Sequence, residues 1–118
     1  MALTDIARPT DVSMLTDLYE LTMAQGLWEN GKLEEQGCFT AFYRDRPFGN
    51  AFAVMCGTAE LPELVENLRF TDEDIDYLSS LSAPGGGKMF NPDFLEFLRG
   101  FRMHVDIDAV PEGELVFP

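Results

Sequence analysis

The chain has 118 residues, the length of one ordinary domain, and its 46% hydrophobic content with ten phenylalanines is sufficient for a single packed core. Its 21 acidic residues outnumber eight basic ones, and the formal net charge of −13 repels phosphate backbones and anionic membranes. No apolar run approaches the roughly 20 residues that span a bilayer, and the first residues lack the pattern of a signal peptide. We therefore expect a soluble, cytoplasmic protein with no nucleic-acid or membrane partner.

The first element in chain order is a long helix over residues 13–30, in which apolar residues recur at helical spacing. Gly31 follows as a typical helix terminator. Residues 1–12 precede it as a tail, so we expect one domain over residues 13–118.

Two strands are predicted next, over residues 37–43 and 51–56, because both are short runs rich in Phe, Val and Cys. The turn between them contains Arg44 and Arg46 followed by Pro47. Cys38 and Cys56 lie in these runs without metal-ligand spacing, so both are predicted to be reduced residues of the core.

Two further helices are indicated by their start signals. Thr71 precedes three acidic residues in the first turn of one helix, and Asn91 followed by Pro92 begins the other, which extends to about Arg99. A glycine-rich loop over residues 82–88 connects them.

The last region, residues 103–110, alternates at period two and is followed by a Pro-Glu-Gly turn and a second apolar run over residues 114–117. This pattern predicts a hairpin-like pair of strands. Strands and helices mix without regular alternation, which favours an α+β domain with a largely antiparallel sheet.

Three motifs that suggest chemistry are incomplete. Asp72, Asp74 and Asp76 match the first ligands of a calcium-binding loop, but its required glycine and final glutamate are missing. The triglycine before Lys88 lacks the following hydroxyl residue of a phosphate loop, and His104 has no nearby nucleophile. The residues alone therefore reveal no catalytic constellation.

Five segments in order resemble the N-terminal domain of nicotinate phosphoribosyltransferases. They are the first-helix motif at residues 15–26, the aromatic-Arg-x-x-Pro-Phe turn at 42–49, and the segments 68–78, 94–98 and 110–118. The resemblance covers nearly the whole chain from Leu15 onward. It implies the fold of the N-terminal domain of a type II phosphoribosyltransferase.

The resemblance implies an activity in NAD salvage, in which nicotinate and phosphoribosyl pyrophosphate give nicotinate mononucleotide and pyrophosphate with ATP hydrolysis. In that family an α/β barrel carries the catalytic groups, with ATP and Mg²⁺ in the full enzyme, and subunits pair as dimers. We expect this chain to stop before the barrel, to hold no catalytic residue, metal or cofactor, and to be inactive alone.

Three residues are candidates for substrate binding by the same resemblance. Tyr19 matches the tyrosine that stacks on the pyridine ring in the active site of the neighbouring subunit, although an ordinary core tyrosine is the alternative. Arg44, and more weakly Arg46, match positions suited to phosphate contact, with a solvated turn arginine as the alternative. Asp17 is expected to support the helix start or the surroundings of Tyr19.

Alternative functions stay open at this point. The domain could be a non-catalytic interaction or regulatory module, or part of an enzyme that uses quinolinate or nicotinamide. If it is part of an enzyme, exposed apolar residues such as Val116 and Phe117 should mark the surface on which the barrel docks.

Overall fold

A computed structural model describes residues 12–45 and 47–117 of the chain. Its helices are α1 (Leu18–Glu29), α2 (Leu61–Asn67), α3 (Asp72–Ser80) and α4 (Pro92–Gly100), and its strands are β1 (Ala53–Val54) and β2 (Leu115–Val116). Short 3₁₀ turns occupy Pro47–Gly49 and Thr58–Glu60. The described residues thus combine helices with a small antiparallel sheet, as an α+β fold requires.

The first helix is shorter than the sequence predicts, because residues 13–17 form turns before it. Its end agrees with the prediction, since Gly31 adopts φ 67° and its N–H donates to the carbonyl of Trp28 at 3.1 Å. The Asn30 side chain also donates to the Gly26 carbonyl at 2.7 Å. These bonds satisfy carbonyls that the end of the helix leaves without partners.

The starts of α3 and α4 confirm the predicted caps. The Thr71 hydroxyl accepts the N–H of Asp74 at 3.2 Å, and the Asp74 carboxylate accepts the N–H of Thr71 at 2.8 Å, which completes a capping box. Asn91 accepts the N–H of Asp93 at 2.9 Å ahead of Pro92. The aspartates that resemble calcium ligands therefore belong to a helix start.

The core of the described residues is helical. Its buried members come from α1, α3, α4 and the residue before the cap of α4, and they are Leu21, Ile75, Leu78, Phe90, Phe94, Leu95 and Leu98. Trp28 of α1 adds a ring contact to Phe94 at a centroid distance of 5.8 Å. Gln25 joins α1 to the start of α4, because its side-chain oxygen accepts the N–H of Asn91 at 2.7 Å.

The sheet is much smaller than predicted. β1 and β2 pair antiparallel with Ala53 opposite Val116, so the second strand of the expected hairpin pairs with residues 53–54 and not with residues 103–110. Residues 37–43 and 103–110 form no regular secondary structure. Both predicted strands are thus wrong in this structure, because a strand needs a hydrogen-bonding neighbour and none of the described segments pairs with either one.

Two other predictions require correction. Cys38 and Cys56 are exposed free thiols, not core residues, because the apolar runs that contain them are not covered by another layer. Helix α2 was not predicted, although Pro62 in its first turn is a typical start signal. The helix has only seven residues and follows the 3₁₀ turn at Thr58–Glu60 directly.

Candidate functional site

Helix α1 has two apolar faces. Leu21, Ala24 and Trp28 face the core, whereas Tyr19, Met23 and Leu27 lie four residues apart on another face. The three outer side chains are 57%, 61% and 52% exposed, and Leu15, four residues before Tyr19, is 77% exposed. We call Leu15, Tyr19, Met23 and Leu27 the outer stripe. Leu15 precedes α1, so only the other three residues share a helix face, and exposed apolar residues in such a row are typical of a binding or docking face.

Tyr19 lies in the first turn of α1 with its ring directed away from the core. Within the described parts of the chain, its hydroxyl makes no hydrogen bond and its ring makes no aromatic contact. A shallow depression at the start of the helix is lined by Met14, Leu15, Thr16, Asp17 and Glu20 and does not include Tyr19. The interpretation of Tyr19 as a buried core residue is therefore wrong, and its ring is free to contact a ligand or another protein surface.

Asp17 occupies the N-cap position of α1, but its side chain accepts no hydrogen bond from the helix. Two other hydrogen bonds stabilise the first turn. The N–H of Glu20 donates to the Asp17 carbonyl at 3.0 Å, and the Thr16 hydroxyl donates to the Glu20 carboxylate. Asp17 thus lines the depression at the start of the helix without capping α1.

Arg44 follows residues 37–43 and is exposed. The preceding residue, Tyr43, anchors this segment to the sheet, because its hydroxyl donates to the Val116 carbonyl at 3.1 Å. Among the residues that the structure describes, the Arg44 guanidinium has no carboxylate partner. Its five donors are therefore available to an anion.

The predicted binding residues make no direct contact with one another in the described ranges. No hydrogen bond or ring contact joins Tyr19 and Arg44 in the described ranges, and Arg46 lies outside them. Tyr19 belongs to the helical part of the molecule and Arg44 to the part that contains the sheet.

A carboxylate cluster that sequence reasoning missed lies beside the sheet. Glu112 accepts the N–H of Gly57 at 2.9 and 3.0 Å, the hydroxyl of Thr58 at 2.9 Å and the N–H of Ala59 at 3.1 Å. These donors, led by the Gly57 and Ala59 amides, lower the pKa of Glu112 to about 2. The carboxylate is therefore ionised and fully occupied, which suits a structural clamp and not a general acid.

The thiol of Cys56 belongs to the same cluster. It donates a hydrogen bond to Glu112, and this bond together with the negative charge of Glu112 raises the pKa of the thiol. The thiolate, which is the nucleophilic form, is correspondingly disfavoured. The two glycines beside the cluster mark turns in the sequence, and they adopt positive φ angles of 99° at Gly57 and 84° at Gly113. Their spacing in the sequence does not show that the two turns lie close together in the fold.

His104 lies in an open cleft of about 600 Å³ between α2 and residues 103–107. No group of three or more His, Cys, Asp or Glu side chains within residues 12–45 and 47–117 could hold a metal ion. None of the helices found in these ranges is long and apolar enough to cross a bilayer. The described side chains therefore supply apolar contact, exposed guanidinium groups such as that of Arg44, and an internal carboxylate clamp.

Comparison with known proteins identifies the family. The model of the nicotinate phosphoribosyltransferase N-terminal domain matches residues 14–118. The chain is 39% identical to nicotinate phosphoribosyltransferase of Bos taurus and 37% identical to that of Homo sapiens, each over 113 residues that make up 95% of this chain and 20% of the relative.

A bacterial relative gives a similar result. Nicotinate phosphoribosyltransferase pncB2 of Mycobacterium tuberculosis strain H37Rv is 36% identical over 106 residues, which are 90% of this chain and 21% of that protein. The chain thus spans about a fifth of the length of these curated relatives. No solved structure matches it. With a family model that matches residues 14–118, the chain belongs to the nicotinate phosphoribosyltransferase N-terminal domain family.

Proposed function

We propose that this chain is the N-terminal domain of an enzyme that converts nicotinate and phosphoribosyl pyrophosphate to nicotinate mononucleotide and pyrophosphate in NAD salvage. The observation that carries the proposal is the exposed ring of Tyr19 on the outer stripe of α1, in a chain that matches the family model over residues 14–118. The domain presents this ring to the nicotinate in the active site of a neighbouring subunit of a dimer.

The chemistry explains why an aromatic ring and an arginine are useful. Departure of pyrophosphate gives the ribose carbon oxocarbenium character, so the nicotinate nitrogen must be held in line with the breaking bond. Stacking on Tyr19 orients the pyridine ring and contributes about 1 kcal/mol. The unpaired guanidinium of Arg44 suits two oxygens of a phosphate group, and Arg46 is a second candidate of the same kind.

Other groups must come from outside this chain. In this proposal, ATP, Mg²⁺ and most contacts to phosphoribosyl pyrophosphate belong to the α/β barrel of the full enzyme, which acts in the cytoplasm. The chain without a barrel is inactive.

The test is a chimera in which residues 14–118 replace the matching segment of the Mycobacterium tuberculosis relative. Formation of nicotinate mononucleotide by the chimera supports the proposal. We expect Tyr19→Ala to raise KM for nicotinate by about fivefold, which corresponds to the loss of one stacking contact, and Tyr19→Phe to restore most of the affinity.

Tyr77 provides the matched control, because it also lies on a helix and is also 57% exposed. Tyr77→Ala should leave KM for nicotinate unchanged. A folded chimera without transferase activity would favour the non-catalytic interaction or regulatory module. Activity with nicotinamide or quinolinate in place of nicotinate would instead assign the related pyridine substrate.

A further inference from the structure

The start of helix α4 lacks one half of the capping box that begins α3. In α3, the cap Thr71 and the third helical residue Asp74 exchange hydrogen bonds, so the N–H of Thr71 has an acceptor at 2.8 Å. In α4 the corresponding third residue is Phe94, whose side chain has no acceptor for the N–H of the cap Asn91. An acceptor for this N–H therefore has to come from another part of the fold.

Gln25 of α1 supplies the missing acceptor from 66 positions away in the sequence. Its side-chain oxygen accepts the Asn91 N–H at 2.7 Å, and both residues are partly buried. A backbone N–H that is shielded from water and left without an acceptor is destabilising. Gln25 thus does for α4 what Asp74 does for α3, but it does so from a different helix.

Helix α4 is a firm base for this contact. Asn91 follows Phe90 and precedes Phe94 by three residues, and these two almost fully buried rings stack with centroids 6.2 Å apart. Near the other end of α4, Arg99 forms an ion pair with Asp72 at the start of α3. The Asn91 N–H is therefore a fixed point against which α1 is held.

The same bond constrains the rotation of α1 about its own axis. The core contacts of α1 come from Leu21, Ala24 and Trp28, and apolar contacts of this kind are not directional. A hydrogen bond is directional, because it weakens steeply when the angle at the hydrogen departs from a straight line. The bond between Asn91 and Gln25 therefore fixes the rotation of α1 more closely than the apolar contacts do.

Any such rotation displaces the ring of Tyr19. Tyr19 lies six residues before Gln25, which places it about 120° around the helix axis and about 9 Å along it. Its side chain is 57% exposed on the outer stripe, so packing within the described chain constrains the ring only in part. The direction of the ring is set mainly by the orientation of the helix that carries it.

We propose that Gln25 is a positioning residue for the pyridine ring of the substrate. By accepting the Asn91 N–H it fixes the rotation of α1 against α4, and this rotation directs the Tyr19 ring toward the bound nicotinate. The inference rests on the proposed function, in which Tyr19 stacks on nicotinate. In this role Gln25 acts through Tyr19 and does not itself contact the substrate.

Three variants of the chimera with the Mycobacterium tuberculosis relative test this role. Gln25→Leu has a similar volume but no acceptor, and it should raise KM for nicotinate by about threefold, less than removal of the Tyr19 ring. Gln25→Glu keeps an acceptor oxygen and should restore most of the affinity. Gln36→Leu makes the same change at an exposed residue outside helices and strands, and it should leave KM unchanged. An unchanged KM for nicotinate in Gln25→Leu would overturn the proposal.

The Tyr19→Ala background separates positioning from a general loss of stability. If Gln25 acts through Tyr19, Gln25→Leu should raise KM no further once the ring is absent, because no stacking contact is left to misdirect. A rise of the same size in the presence and absence of the ring would show that Gln25 supports the fold alone, which contradicts the positioning role.

Hydrogen–deuterium exchange of the isolated chain, followed by NMR, tests the contact without reference to catalysis. The Asn91 amide should exchange at least about tenfold faster in Gln25→Leu than in the wild type, and amides of α1 should also exchange faster. Gln25→Glu and Gln36→Leu should match the wild type. Equal rates at Asn91 in the wild type and in Gln25→Leu would show that the bond does not hold the two helices together, and the proposal would fail.

The two proposals can fail independently. A chimera that makes no nicotinate mononucleotide overturns the proposed function, and the exchange rate at Asn91 then still decides whether Gln25 holds α1 against α4. An active chimera in which Tyr19→Ala raises KM for nicotinate and Gln25→Leu does not would overturn the positioning role and leave the proposed function standing.

Discussion

The helical part of the molecule and the part around the sheet differ in how completely they bury their own apolar side chains. In the helical part, α1, α3 and α4 bury a shared core with several aromatic contacts, and Phe90, Phe94 and Leu78 are almost fully buried. Around the sheet, Phe39, Phe42 and Phe48 are 95%, 75% and 100% exposed. Both parts have phenylalanine-rich sequences, so composition alone does not determine which residues become core.

The difference follows from where each kind of element finds its hydrogen-bond partners. A helix satisfies its backbone within one continuous segment, and side-chain caps complete its ends. A strand depends on another segment, and within the described ranges only Ala53–Val54 and Leu115–Val116 have one. The helical part is therefore organised by local sequence, whereas the region around the sheet has few backbone partners within the described residues.

Removal of a core ring should give the largest effect. Phe94→Ala should lower the free energy of unfolding by about 3–5 kcal/mol, because the ring is completely buried and its loss leaves a cavity between Trp28, Phe90 and Phe97. Phe39→Ala, at an exposed ring, should change it by no more than about 0.5 kcal/mol. Urea unfolding followed by circular dichroism measures both, and similar losses in the two variants would contradict the contrast between the regions.

Loss of a helix cap should have an intermediate effect. Thr71→Ala removes the hydroxyl that accepts the Asp74 N–H, and we expect a loss of about 1 kcal/mol in the free energy of unfolding. Thr71→Ser keeps the hydroxyl and is the matched control, which should retain most of the stability. The same urea titration compares the variants, and equal stability of the Ala and Ser forms would show that the capping box is not important for α3.

The extent of successful prediction from sequence follows the same division. Thr71, Asn91 and Gly31 act within a few residues of their own positions, and each marks a helix boundary that the structure confirms. The strand predictions at 37–43 and 103–110 were wrong for the described chain, because apolar composition in the first segment and alternation in the second do not specify a neighbouring strand. The predicted burial of Cys38 and Cys56 was also wrong.

The candidate site was predictable only in part. The helical spacing of Tyr19 is visible in the sequence, but its position on an outer face is known only once Leu21 and Trp28 define the inner one. The exposure of Arg44 is consistent both with phosphate contact and with a solvated turn arginine, so its phosphate contact stays a prediction. The clamp at Glu112 joins residues more than fifty positions apart and requires the fold to be seen.

Within the sheet region, substitution of Glu112 should have a smaller and pH-dependent effect on the free energy of unfolding, because its carboxylate is exposed and solvent screens its charge. Its pKa is about 2 in the folded chain against 4.5 for the free group, so the carboxylate stabilises the fold above about pH 4.5. That stabilisation is lost as the pH falls from 4.5 toward 2, since protonation removes the charged acceptor.

The comparison of wild type with Glu112→Gln measures this contribution. The wild type should be more stable at neutral pH, and the difference should narrow as urea titrations move below pH 4.5. Glu114→Gln is the control, because the Glu114 side chain makes no hydrogen bond within the described ranges. A difference between wild type and Glu112→Gln that does not change with pH would exclude the ionised clamp.

The smallest expected effect concerns the thiol that donates to the same carboxylate. Glu112→Gln removes the negative charge and the charged acceptor that raise the pKa of Cys56, so a larger fraction of the thiol should be ionised near pH 8. Alkylation of Cys56 by iodoacetamide should then be a few-fold faster in the variant, measured by peptide mass spectrometry. Cys38 is the internal control, since it is exposed and outside the cluster, and its rate should not change. If both cysteines reacted faster, the substitution would have loosened the region as a whole, whereas a selective change at Cys56 would show that the strand part of the molecule contains one locally ordered cluster despite its open edges.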